Sequence, residues 1–447
     1  MRMDSAATSV AALLSRSITD TRASIPMKLG TRLRSIALFE QLGPGLVTGA
    51  ADDDPSGIAT YSQAGAQFGF SLLWTMVLTY PLMSAVQLIS AHIGRVTGCG
   101  LAKNMGDLLP KGLVSILVVL LFVANTINIG ADIAAMGSAG ELVLGVDSHW
   151  LTIGFALVSL LLQLFLPYRR YAAVLKWITL CLLAYVALIF MVTIDWRDAL
   201  LGLVVPRVTS KDAVVTVVAI LGTTISPYLF FWQSAQEVEE VRQDDSAEPL
   251  VDAPWQARRE FRRMKLDTFA GMAVSNIVAL AIMLGTAATL HAQGTTAIAT
   301  AADAAKALQP VAGRFAFLLF ALGIVGTGLL AVPVLAGSAA YAIGESRGWK
   351  CGLEHKPWEA VGFYSVIGCA TLLGIAIDWS SLDPIKALFW SAVVNGVVAV
   401  PIMAGMMLVA RRRRAMGKFV IGQRLYRVGW VATAVMLIAV VPMIVIR

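Results

Sequence analysis

Apolar stretches of about twenty residues, the length that crosses the hydrocarbon core of a bilayer, recur along this chain and leave little room for a soluble fold. They cover roughly 38–68, 71–94, 112–141, 150–167, 172–194, 213–239, 267–291, 313–343, 358–377, 384–410 and 427–446. Of the 447 residues, 57% are hydrophobic and 14% charged, against about 25% charged in soluble domains. In lipid every backbone polar group must be satisfied within the segment, so such stretches form helices. The expectation is an all-α polytopic membrane protein with eleven transmembrane helices.

Charge placement tests that number. With the N-terminus in the cytosol, all 35 Lys and Arg except Arg197, Arg207, Lys211, Lys306, Arg314, Lys386 and Arg447 fall on cytosolic segments, as the positive-inside bias requires. Removing one span from the middle would scramble the alternation. The predicted topology is therefore multi-pass in the cell membrane, with the N-terminus cytoplasmic and the C-terminus outside. The formal charge of +7 follows from this bias. No nucleic-acid motif accompanies it, so the expected surroundings are membrane lipids and not a nucleic acid. Residues 1–37 carry basic residues around a short apolar patch, Val10 to Leu14, and read as a cytosolic tail. Residues 240–265, rich in Glu, Asp and Arg, read as a solvated cytosolic loop or short surface helix.

The remaining composition excludes several classes. Cys99, Cys181, Cys351 and Cys369 show no CxxC spacing and the four histidines are dispersed, which argues against a disulfide framework or a thiolate metal site. There is no HExxH, Walker A or GxSxG motif, so neither an enzyme nor a bound cofactor is expected.

Two of the spans cannot be plain helices. The first contains Asp52-Asp53-Asp54-Pro55-Ser56-Gly57. Ionisable groups at membrane depth are costly, about 2.5–3.5 kcal/mol each on insertion scales, and point to function. The sixth contains Gly222-Thr223-Thr224-Ile225-Ser226-Pro227-Tyr228, again a proline flanked by residues that can satisfy freed backbone groups. Five spans separate the two breaks. Five is odd, so the halves around them would insert in opposite orientations, and interrupted helices at matching positions of inverted halves mark a transporter's midplane site.

These residues carry a family resemblance. Gly43-Pro44-Gly45, Asp54-Pro55-Ser56-Gly57 and Gln63-Ala64-Gly65-Ala66-Gln67-Phe68-Gly69 resemble the first helix of the Nramp divalent-metal transporters, which reads GPG, then DPGN, then QAGAQFGY. Thr223 to Tyr228 resembles part of that family's sixth-helix ATIMPHNLYLHS. Asn128-Ile129-Gly130-Ala131-Asp132 and the residues after it resemble its ATDxAExxG. The resemblance implies a LeuT-type fold with two inverted five-helix repeats, here 38–194 and 213–410, broken helices 1 and 6, and an extra helix over 427–446. It also implies alternating access and function as a monomer.

Carried over residue by residue, the family's metal-binding Asp is Asp54. Its Asn becomes Gly57, its Met becomes Ser226, the Ala supplying a carbonyl becomes Thr223, and the following His becomes Tyr228. A thioether favours softer metals, whereas hydroxyls and carboxylates favour hard ions. The metal site expected is Asp54 and then Asp53, with Ser226, Thr223 and the space at Gly57. Asp132, Asn128, Tyr228 and Asn395 are pore-lining or coupling candidates. Asp132 keeps the family's third-helix Asp, but Ala135 stands where the family has Glu, and with the His also lost proton coupling is not expected. These departures resemble the Nramp-related magnesium transporter branch and imply Mg2+ or Mn2+ uptake. The alternatives are a proton-coupled Mn2+/Fe2+ symporter and a LeuT-type carrier of an organic substrate. The latter is disfavoured because three aspartates would repel a substrate carboxylate.

Overall fold

Both predicted interruptions are present in the computed structural model, which describes residues 44–166, 175, 178, 180–244, 246–379 and 383–445. The first span is split into α1 (Pro44–Asp52) and α2 (Pro55–Phe68). The sixth is split into α7 (Lys211–Thr224) and α8 (Pro227–Gln243). In each, a two-residue break is followed by proline in the first turn of the second half-helix. Proline is tolerated there because that N–H has no intrahelical partner in any case.

The other long helices are α3 (Trp74–Thr97), α4 (Lys111–Leu144), α5 (Ser148–Phe165), α6 (Leu183–Met191), α9 (Ala257–Thr289), α10 (Ala316–Arg347), α11 (Val361–Asp378), α12 (Pro384–Ala410) and α13 (Gln423–Val445). Among the described residues, nine helical segments are long and apolar enough to cross a membrane. The two remaining predicted spans are the first, whose halves are individually short, and 172–194, of which only part is described. The predicted tail over 1–37 lies outside the described residues.

Helix α4 occupies the middle of one group, packing on α5, α10, α11 and α12. Helix α9 anchors another, with α1, α2 and α3 against it. The α1 contact is built on one stripe of α9: Asp267, Gly271 and Ser275, four residues apart, lie on one face. The Asp267 carboxylate accepts the Gly45 backbone N–H at 2.6 Å. One turn on, Gly49 meets Gly271 so closely that a Cβ on Gly49 would overlap the Gly271 backbone. Next, the Ser275 hydroxyl reaches the end of α1.

The charged stretch 240–265 departs from the sequence reading. Its second half is the first two turns of α9, and its charges are partly buried. The Arg263 guanidinium lies 2.6 Å from Glu237 and 3.0 Å from both Glu240 and Glu260, and Arg95 of α3 lies 3.0 Å from Glu260. The charges that suggest a solvated loop instead tie α3, α8 and α9 together, and mutual neutralisation is what permits their burial.

Replacing Gly49 by Ala forces α1 and α9 apart. The expected result is a loss of about 1–3 kcal/mol, typical of overpacking, read as a lower unfolding temperature in detergent than for an Ala substitution at the open position Gly154.

Candidate functional site

Asp54 stands at the first break in extended conformation, φ −69° and ψ 169°, and caps α2. Its Oδ1 accepts the Gly57 N–H at 2.7 Å and the Ser56 hydroxyl at 2.8 Å. Its Oδ2 accepts the Asn128 amide at 3.0 Å and shares the Tyr228 hydroxyl, 3.4 Å away, with the Ala51 carbonyl at 3.3 Å. The residue is 1% exposed. Four donors on one carboxylate offset the cost of burying it.

The other two aspartates turn elsewhere. Successive helical positions diverge by about 100°, and Asp52 and Asp53 follow the end of α1 toward α9. Asp52 Oδ2 and Asp53 Oδ1 share the Ser275 hydroxyl at 2.6 and 3.0 Å. Asp53, the second expected ligand, is thus grouped with Asp52 and stands outside the donor set of Asp54.

The second break faces the first through Thr223 and Tyr228. A Cβ on Gly57 would stand 3.1 Å from the Thr223 hydroxyl oxygen, 3.3 Å from the Tyr61 ring and 3.4 Å from the Asp52 carbonyl oxygen. The sequence suggested a roomier pocket at Gly57. The structure fills that room with the Thr223 hydroxyl and Tyr61. Ser226 is buried, and its hydroxyl donates back to the carbonyls of Gly222 at 2.7 Å and Thr223 at 2.8 Å. It occupies the carbonyls that the break releases.

On α4, Asn128 bridges Asp54 to α12, accepting the Ser391 hydroxyl at 2.5 Å. Asp132, one turn along, is fully buried beside the Asp54 carboxylate and the Ser56 backbone N–H, with no side-chain partner among the described residues. Asn395 is buried one turn beyond Ser391, and neither end of its amide has a partner among the described residues. The structure therefore joins Asp54, Asn128 and Tyr228, with Thr223 and Gly57 adjoining, and leaves Asn395 outside.

Sequence reasoning missed Ser391, Ser275 and Tyr61. Ser391 carried one usable signal: it sits four residues before Asn395 in an otherwise apolar run, hence on the same face. Among the described residues no three His, Cys, Asp or Glu side chains converge as a ligand set. One carboxylate among neutral oxygen and nitrogen groups suits a cation that keeps part of its water shell. Between α2, α7 and α12, a cavity of about 390 Å³ is lined by Ala59, Gln63, Asp212, Thr216, Lys386 and Trp390 among others.

Comparison with known proteins matches residues 45–446 to the Nramp family, natural resistance-associated macrophage protein-like. The chain is 30% identical over 307 residues to the divalent metal cation transporter MntH of Erwinia tasmaniensis, covering 66% of this chain and 70% of that one. It is 27% identical over 393 residues to MntH of Acidiphilium cryptum, covering 84% and 83%. Among solved structures, the Eremococcus coleocola manganese transporter superposes with a TM-score of 0.70 over 94% of this chain and 88% of that one, at 16% identity. The nucleobase-cation-symport-1 transporter Mhp1 superposes with a TM-score of 0.52 over 90% and 92%, at 11% identity. These likenesses establish a LeuT-like fold in a multi-pass membrane protein. Matched along nearly its whole length, the chain belongs to the Nramp family.

Proposed function

We propose that this protein carries Mg2+ or Mn2+ into the cell across the cytoplasmic membrane by alternating access, without moving protons. The observation that carries the reading is Asp54: a buried carboxylate where two broken helices meet, contacted by an amide, hydroxyls and a backbone N–H, with no thioether in that set. That the relatives are divalent metal cation and manganese transporters supports a divalent metal as cargo. Oxygen ligands favour the harder members of that class.

In this reading Asp54 Oδ2 meets the cation, because Oδ1 is committed to capping α2. Thr223 and Ser226 supply neutral oxygens, together with the Gly222 and Thr223 carbonyls once Ser226 releases them. Asp53 contributes charge from one position away, and Gly57, where a Cβ would stand 3.1 Å from the Thr223 hydroxyl, lets Thr223 come close. With the N-terminus in the cytosol, the cavity beside Gln63 and Trp390 lies on the outer side. The packing of α1 on α9 and the Arg95–Glu260–Arg263 cluster close the inner side. The inside-negative potential then drives uptake, at about 2.3 kcal/mol per charge per 100 mV and twice that for a divalent ion.

Proton coupling lacks two of the groups that the family resemblance would require, since Ala135 and Tyr228 stand in place of Glu and His. A phenol, with an ordinary pKa of about 10, is a poor proton carrier near neutrality. One observation favours the alternative, a proton-coupled Mn2+/Fe2+ symporter: Asp132 is buried beside Asp54 without a side-chain partner among the described residues.

Proteoliposome flux with a pH dye inside separates the two. Mg2+ and Mn2+ are expected to enter without acidifying the lumen, and Asp54→Ala is expected to reduce entry to the level of protein-free vesicles. Acidification that tracks metal entry would establish the symporter, and undiminished flux in Asp54→Ala would remove the site. Ser226→Met replaces a hydroxyl with a thioether and frees two carbonyls. It is expected to tighten Cd2+ relative to Mg2+ by about tenfold, as soft-ligand selectivity predicts, measured by competition in the same flux assay.

A further inference from the structure

We infer that Asn128 is an oxygen ligand held in reserve, whose side-chain amide turns over when the cation arrives, with Ser391 as the pivot. The inference rests on the reading of Asp54 as the carboxylate that meets the cation. As the site stands, Asn128 presents Nδ2 to Asp54 Oδ2 at 3.0 Å, since an ionised carboxylate can only accept. A cation placed at Oδ2 would face those N–H groups and be repelled. Rotated by half a turn, the same amide presents its carbonyl oxygen, a neutral hard ligand.

Reversing a buried amide is costly when it strands a polar group, so what lies behind it decides whether the turn is available. Behind Asn128 lies the Ser391 hydroxyl, 2.5 Å from Asn128 Oδ1 and 2.7 Å from the carbonyl oxygen of Leu388 on its own helix. A hydroxyl has one proton and two acceptor lone pairs. With Nδ2 toward Asp54, the Ser391 proton is directed at Asn128 Oδ1. With Oδ1 toward the cation, that proton goes to the Leu388 carbonyl, and Ser391 Oγ accepts from Nδ2. Both states keep Asn128 hydrogen-bonded to Ser391, with one amide N–H given to Asp54 in the first and to Ser391 in the second, and the second acceptor, the Leu388 carbonyl, is already within reach. Apart from the amide turn and the hydroxyl proton, nothing in this set has to move. An alanine at 391 satisfies neither state, whereas a threonine satisfies both. Ser391 is thus a positioning residue that acts through Asn128.

The test is flux of Mg2+ and of Cd2+ into proteoliposomes for the full chain and for Asn128→Ala, Ser391→Ala and Ser391→Thr. A lost hard oxygen penalises Mg2+ more than Cd2+. Asn128→Ala and Ser391→Ala are each expected to raise the Mg2+ KM about tenfold more than the Cd2+ KM, the scale of one ligand worth 1.4 kcal/mol. Ser391→Thr is expected to restore the wild-type ratio. Equal shifts for both ions, or no rescue by threonine, would show that the two residues only hold α4 to α12 and would overturn the inference. Mg2+-induced infrared difference spectra of protein carrying 13C at the asparagine side-chain carbonyl give a second readout. A band that shifts on binding and vanishes in Asn128→Ala is expected, and its absence from the wild type overturns the turnover directly. Wild-type flux in Asp54→Ala would instead overturn the underlying reading of Asp54, and this inference with it.

Discussion

The two oxygens of Asp54 have different duties, and the rest of the site is arranged around that division. Breaking a helix inside a membrane exposes N–H groups that have no water to bind, and placing a carboxylate there exposes a charge. Each difficulty relieves the other. Oδ1 takes up the Gly57 N–H and the Ser56 hydroxyl, a cap typically worth about 1 kcal/mol, and the negative charge sits at the favourable end of the α2 dipole. Oδ2 faces side chains from two other helices, Asn128 of α4 and Tyr228 of α8, whose donors can be exchanged without unwinding α2. The fold is secured by one oxygen, and the other is left for chemistry.

The two half-helices after the breaks begin alike but are capped differently. Both start with proline, yet α8 follows Ser226, whose hydroxyl turns back to the carbonyls at the end of α7 instead of capping α8. The first break thus gathers donors around a carboxylate, and the second gathers carbonyl oxygens under a hydroxyl. Together they set a negative group and a set of neutral oxygens on two facing walls that touch through Tyr228 and Thr223. Helix α9 keeps the first wall in place through the stripe Asp267, Gly271 and Ser275. That stripe also accounts for the fate of Asp52 and Asp53, since the hydroxyl they share belongs to it.

Nine of the spans, the two breaks and the place of Asp54 at the first of them were legible because each rests on a strong local signal. Hydropathy over about twenty residues, proline after a polar residue, and a carboxylate in an apolar run need no knowledge of neighbours. Side-chain direction was not legible. Three consecutive aspartates are alike in chemistry; the family resemblance singles out Asp54, but only the packing of α1 on α9 shows that Asp53 goes with Asp52 to Ser275. Ser226 reads as an available hydroxyl until its backbone acceptors are seen. The room expected at Gly57 is a statement about volume, and volume depends on Thr223 and Tyr61, which come from elsewhere in the chain or from the next turn. Residues 257–265 failed for a related reason: their charges suggest solvent, whereas Glu260 and Arg263 find partners on α3 and α8 that sequence spacing does not reveal.

The proposed selectivity follows from charge balance at this geometry. A divalent ion beside Asp54 alone retains an excess positive charge, and the neutral oxygens of Thr223, Ser226 and Asn128 disperse it without cancelling it. Complete dehydration of Mg2+ would require near-ideal octahedral replacement of its waters, which one carboxylate and a few hydroxyl and carbonyl groups do not provide. A cation that keeps several waters avoids that demand, because the waters complete the shell and carry part of the charge outward to the surrounding acceptors. Asp52 and Asp53, held one step away by Ser275, then act on the ion through distance instead of contact, lowering its energy without fixing its geometry. A softer ion gains little from such a site, because its advantage lies in direct bonds to sulfur and none is offered in the set around Asp54. In the proposed reading, retained hydration and the lack of sulfur act together, with Asp54 Oδ2 as the oxygen that meets the ion.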